Sequence, residues 1–131
     1  MMKACGIAAL LASVAFPATA ATRTVRVASV TDGDTFRTTA GERVRIANVD
    51  APETRRDQAK CASEVRQGKA AAAQLRSLIG GLQVVLNPVG VSYRRTVARV
   101  RSGGVDVAGE LLRIGAARAW PRGRAKPSWC G

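Results

Sequence analysis

The chain has 131 residues, with 21 lysines and arginines against nine acids, a formal charge of +12, and no histidine. That length holds one domain and little else, and the missing imidazole excludes histidine-based zinc sites, histidine acid–base catalysis and the Ser–His and Cys–His nucleophile pairs. What remains is carboxylate and arginine chemistry in a basic body, which attracts a polyanion through its Lys and Arg density alone.

Met1 to Ala20 reads as a signal peptide. Lys3 supplies the positive start, Ile7 to Phe16 an apolar run, and Ala18-Thr19-Ala20 the small-residue cleavage pattern. A short membrane anchor is the alternative, but the run is far below the roughly 20 apolar residues that a spanning helix needs. Cleavage removes Lys3 and no acid, leaving +11 over the 111 residues 21–131. The expectation is therefore an exported protein, periplasmic or secreted, with no membrane attachment after cleavage and a monomeric state by default. Cys5 leaves with the leader. Cys61 and Cys130 remain, an even count that favours one disulfide in an exported protein over two free thiols.

Thr22 to Val30 alternates and is β-branched, which predicts a first strand. Asp32-Gly33 is a hairpin-turn signal, placing Asp34 at the start of a second strand that runs to Thr39. Ala40-Gly41-Glu42 forms the next loop and Arg43 to Val49 the third strand. Asp50 to Ala62, with Pro52 and several charges, reads as an exposed loop. An Ala-rich helix follows over Gly68 to Ile79, with Ala72, Leu75 and Ile79 on one face and Gly80-Gly81 as its stop.

Leu82 to Leu86 is the fourth strand, Asn87 to Ser92 a loop, and Tyr93 to Arg101 the fifth strand. Thr96, Ala98 and Val100 share the small, inward face of that last strand. A short helix near Val107 to Ile114 has Asp106 as its cap and Gly115 as its stop. After Trp120 the chain is basic and irregular. Three strands, a helix, two strands and a short helix give a mainly β, α+β domain over residues 21–131, in the order of an OB-fold five-stranded Greek-key barrel with two helices.

The chemistry concentrates in Arg45-Ile-Ala-Asn-Val-Asp50-Ala51-Pro52-Glu53. A cation and two carboxylates stand there on a short strand and the turn after it, and Pro52 stiffens that turn. Asp34 is expected beside the returning Arg45 strand. Of the nine acids, Asp32, Asp34, Glu42, Asp50 and Glu53 all fall in the first third of residues 21–131, an acidic focus in a cationic body. Carboxylates with an arginine suit a hard metal and a phosphate.

Taken in order, Asp32-Gly33-Asp34-Thr35, Arg45 with Asp50-Ala51-Pro52-Glu53, and Tyr93-Arg94-Arg95-Thr96-Val97-Ala98 make the chain resemble the staphylococcal (micrococcal) nuclease family. The likeness continues through Gly104-Val105-Asp106-Val107 and Leu111-Leu112-Arg113-Ile114-Gly115. It implies an OB-fold endonuclease that uses Ca²⁺ to cleave DNA and RNA, single- or double-stranded, leaving 3′-phosphate and 5′-hydroxyl ends. Asp34 and Asp50 then look like metal ligands, joined by the main-chain oxygen of Ala51. Glu53 looks like the carboxylate that positions or deprotonates water, Arg45 and Arg95 like the phosphate-holding pair, and Tyr93 like a nucleotide-site aromatic.

Arg94 stands where the family usually has glycine, so a left-handed backbone there would be strained. Trp120 and Trp129, with a disulfide between Cys61 and Cys130, are expected to cover the barrel end. Glu64, Asp57 and Glu110 read as surface acids. A catalytically inactive, cationic OB-fold module that binds nucleic acid is the alternative function, and the full set of Asp34, Arg45, Asp50, Glu53 and Arg95 favours the enzyme.

Overall fold

The computed structural model describes residues 12–13 and 21–131. The expected leader, Met1 to Ala20, lies outside the described residues apart from Ala12 and Ser13.

Alternating β-branched residues build β1 (Arg23–Asp32), which the Gly33-Asp34 turn joins to β2 (Thr35–Thr38), followed by β3 (Arg43–Ile46). Gly33 is required by close approach, since a Cβ on it would stand 2.7 Å from the methyl groups of both Ala51 and Ala71. The third strand is shorter than its sequence suggests. Asn48 takes a left-handed backbone (φ 67°), which turns the chain out of the barrel. Val49–Asp50 then forms β4, and it pairs with β8 (Arg118–Ala119).

Helix α1 (Ala62–Ile79) begins six residues before Gly68, the start that the sequence predicts. Its alanines and leucines favour the helix, and Ala71, Ala72, Leu75 and Ile79 form its buried face. Next come β5 (Gln83–Ser92), β6 (Arg95–Ser102), β7 (Val105–Asp106) and α2 (Val107–Arg113). The expected loop over Asn87 to Ser92 is instead a continuation of β5. Pro88 and Gly90 are accommodated at a bulge in its pairing with β6, where a missing N–H is tolerated.

Sheet order β3-β2-β1-β5-β6-β7 closes on itself because β3 pairs in parallel with β6, from Val44↔Thr96 to Ile46↔Ala98. The result is a closed five-stranded barrel with two helices, an OB-fold. Val27, Phe36, Val44, Ile46, Leu86, Ala98 and Val100 fill it, with Leu75 and Ile79 of α1 packed against them. Full burial of each large side chain contributes about 1.5–3 kcal/mol. Cys61 and Cys130 form a disulfide across 69 residues of sequence, a loop whose closure stabilises the fold by about 4 kcal/mol on the chain-entropy model. Among the described residues, no helix is long and apolar enough to cross a membrane.

Candidate active site

The loop between β1 and β2, the β3–β4 segment and the β5–β6 turn meet at one cleft of about 500 Å³, which Asp34, Arg45, Asp50, Glu53, Tyr93 and Arg95 all line. Asp34 and Asp50 are buried, at 6% and 1% exposure. The Asp34 carboxylate accepts the Thr35 hydroxyl at 2.9 Å and the Ala51 N–H at 2.8 Å. This ties the turn after β1 to the turn after β4. Ala51 is buried and does not itself line the cleft.

Arg45 is anchored by its own loop: Nη1 donates to the carbonyls of Ile46 (2.8 Å) and Val49 (2.9 Å). Its Nη2 is thereby held 3.6 Å from Asp34 and 3.8 Å from Asp50. Arg95 stands at the start of β6, with Nε donating to Ser92 O at 3.3 Å and the guanidinium 5.9 Å from the Tyr93 ring. Burial and the nearby Arg45 charge lower the Arg95 pKa, so two cations converge on this cleft. Tyr93 is 86% exposed at the tip of the turn. Tyr93 and Arg94 both have positive φ, 49° and 60°, the backbone of a two-residue hairpin turn of the twist-matched type. The family glycine position is thus left-handed, and Arg94 carries that strain.

Burial pushes Glu53 above the usual carboxylate range; Lys126 opposes the rise, while Asp34, Asp50 and Glu64 add to it. Burial, then the Asp34 charge, pushes Asp32 up to about 8. Asp32 also accepts the Asp34 N–H at 3.3 Å, so it shapes the turn that carries Asp34.

Glu64, Lys126 and Trp129 are not assigned to this site by the sequence, yet the fold brings all three to it. Glu64, read as a surface acid, is 4% exposed and accepts the N–H groups of Glu53 (2.9 Å) and Lys60 (3.1 Å). Burial alone would raise its pKa, but those two N–H bonds and the Lys126 and Lys60 charges outweigh it and hold the carboxyl low. Its position in the first turn of α1 was the available clue, hidden by the late placement of the helix start.

Lys126 Nζ donates to Asp50 Oδ1 at 2.6 Å, and buried Trp129 donates its indole N–H to Asp50 Oδ2 at 2.9 Å. Trp129 therefore packs on the cleft carboxylate. Trp120 is half-buried on the cleft wall, 5.5 Å from Arg45 and 5.4 Å from Lys126, and its indole N–H donates to Arg124 O at 2.7 Å. Trp120 thus lines the cleft, while Trp129 backs its Asp50 carboxylate. A second cleft of about 600 Å³ adjoins the first, sharing Arg45 and Trp120 and edged by Arg99, Arg122 and Arg124.

The model of the staphylococcal nuclease homologue family matches residues 43–127. The chain belongs to that family. Its matched span carries Arg45, Asp50, Glu53, Tyr93, Arg95 and Lys126, while Asp34 precedes it and Trp129 follows it. No curated protein matches the sequence. Membership in this nuclease family makes nucleic acid the substrate class.

Proposed function

We propose that the protein is an exported, calcium-dependent endonuclease that hydrolyses phosphodiester bonds of DNA and RNA with little sequence specificity, giving 3′-phosphate and 5′-hydroxyl ends. One observation carries the reading: the buried Asp34 and Asp50 carboxylates, Glu53, and the guanidinium groups of Arg45 and Arg95 share a single cleft. Export is supported by the leader-like Met1 to Ala20 and by the disulfide.

The donor set suits a hard divalent cation. It consists of oxygens alone, and two of its carboxylates are withdrawn from water. Among the described residues, no three acidic or thiol side chains converge to hold a metal by themselves. Asp34, Asp50 and the Ala51 carbonyl would hold Ca²⁺, with water and substrate oxygens completing the roughly six to eight oxygens it takes. The ion would supply positive charge against a nonbridging phosphate oxygen.

The chain's own groups do the rest. Arg45 and Arg95 bind the nonbridging oxygens, and their planar forks stabilise the charge that grows there as water adds to phosphorus. Glu53 takes a proton from that water, its raised pKa bringing it closer to a working base. The P–O5′ bond breaks, and the leaving oxygen picks up a proton as the 5′-hydroxyl. Tyr93, exposed at the cleft mouth, offers a ring to the adjacent nucleotide.

The test is cleavage of single- and double-stranded DNA and of RNA by the purified mature chain, with calcium and then with a chelator, followed by end-group analysis. Calcium-dependent cleavage leaving 3′-phosphates supports the reading. Salt-sensitive binding without cleavage replaces it with the cationic binding module.

A further inference from the structure

Asp50 has two carboxylate oxygens, and both are engaged by the segment that runs from Trp120 to Cys130. Oδ2 accepts the indole N–H of Trp129, which is 8% exposed and sits one residue before the disulfide-bonded Cys130. That oxygen is locked. Oδ1 is the one left for an incoming ligand, and Lys126 Nζ stands 2.6 Å from it and 3.9 Å from Glu53.

The segment is fixed at both ends. The Trp120 N–H donates to Asn48 O at 2.8 Å, and Cys130 is bonded to Cys61. The Lys126 backbone therefore stays beside the cleft while its side chain, 38% exposed, is free to swing outward. Arg45 differs, because two backbone carbonyls anchor its guanidinium where it is.

We infer that Lys126 is a built-in counter-ion of the cleft, an ammonium group tethered by the disulfide-pinned segment that competes with the divalent cation for Asp50 Oδ1. A cation bound through that oxygen at about 2.3–2.6 Å would face the ammonium at a few ångströms, so Lys126 must move out as the metal moves in. Its exit leads toward the Trp120 ring, already 5.4 Å away. The arrangement keeps the buried Asp50 charge paired when no metal is held, and it lowers the apparent metal affinity by the cost of breaking that pair. Lys126 thus acts as a positioning and affinity-setting residue through Asp50.

This inference rests on the calcium reading proposed above, and its test separates the two. Calcium alone is titrated calorimetrically into the full disulfide-bonded mature chain, its Lys126→Met and Lys126→Arg variants, and Lys69→Met. The last removes one exposed charge from α1 away from the cleft. Lys126→Met should bind calcium about two- to fivefold more tightly, a partly exposed ion pair being the cost removed. Lys126→Arg and Lys69→Met should stay near the parent value.

Thermal melting gives a second readout. Without calcium, Lys126→Met should melt below the parent because the buried Asp50 has lost a partner, and calcium should raise its melting temperature by more than it raises the parent's. Unchanged or weaker calcium binding by Lys126→Met, or equal tightening by Lys69→Met, overturns the inference while leaving the calcium site standing. Failure of the parent and every variant to bind calcium overturns both.

Discussion

Gly68 lies inside α1, where replacing glycine by alanine ordinarily stabilises a helix by about 0.8–1.0 kcal/mol. Here the packing reverses the sign. A Cβ at position 68 would fall 2.6 Å from the Glu53 carbonyl carbon and 2.8 Å from the Pro52 carbonyl oxygen. Both are backbone atoms with no rotamer to escape into, and the Glu53 N–H is bonded to Glu64 of the same helix. The helix and the Asp50-to-Glu53 turn must separate. Overpacking costs about 1–3 kcal/mol, and against rigid backbone about 2–3, so Gly68→Ala should lose about 1–2 kcal/mol net once the helix propensity is credited.

The effect on cleavage should be larger. Displacing a reacting group by about 1 Å costs on the order of 100-fold in rate, and Glu53 is the residue displaced. Urea unfolding of residues 21–131 and single-turnover DNA cleavage at saturating calcium measure the two effects separately. A Gly68→Ala protein as stable as the parent, cleaving at the parental rate, would refute the claim that the Pro52–Glu53 backbone is seated on this glycine.

Glu64→Ala removes the acceptor of two backbone N–H groups, Glu53 and Lys60, and should cost about 2–4 kcal/mol, read as a fall in urea midpoint without a change in slope. The Glu64 pKa is lowered on folding, so its stabilising contribution is present above its unfolded value and is lost as pH falls through the folded one; Glu64→Gln should flatten that acid limb. Asp32 behaves oppositely: with its folded pKa raised to about 8, calcium-free stability should decline as pH rises from about 4 through 8, and Asp32→Asn should remove that decline. Persistence of the decline in Asp32→Asn would place its origin elsewhere. Arg94→Gly should stabilise by roughly 0.5–1 kcal/mol, because a left-handed non-glycine residue costs about 1–2 kcal/mol and glycine returns part of that as chain entropy. A lower urea midpoint for Arg94→Gly would contradict this.

Much of the barrel was legible because local chemistry and tertiary demand agree. The alternation of β1 up to Val27 and the small inward face of β6 obey a two-residue period and end up where that period sends them. A bulge after Val27 breaks the period in β1, and the turn falls on Gly33-Asp34, one residue beyond the Asp32-Gly33 signal, so that Asp34 stands in the turn and Thr35 starts β2. The cleft residues were legible through the family motifs, and the fold brings Asp34, Arg45, Asp50, Glu53, Tyr93 and Arg95 to one place. What was missed lies where long-range contacts override local pattern. Asn87 to Ser92 contains asparagine, proline and glycine, all turn formers, yet pairing with β6 draws it into the sheet. Glu64 is a helix-start acid whose partners, the Glu53 and Lys60 N–H groups, belong to a loop with no periodicity. Lys126 and Trp129 sit in a segment without regular structure, ordered by a disulfide and by Asp50, and neither contact leaves a trace in the spacing of residues around it.

Comparing residues 21–131 with their Glu53→Gln variant most directly tests the central claim, that this cleft hydrolyses phosphodiesters. Both proteins would be matched for DNA binding and assayed for cleavage with calcium and with chelator. The account predicts calcium-dependent cleavage by the parent and a loss on the order of 100-fold or more in the variant, with binding unchanged. Equal cleavage by both proteins would remove Glu53 from the chemistry, and binding without cleavage by either would contradict the enzymatic reading of the cleft.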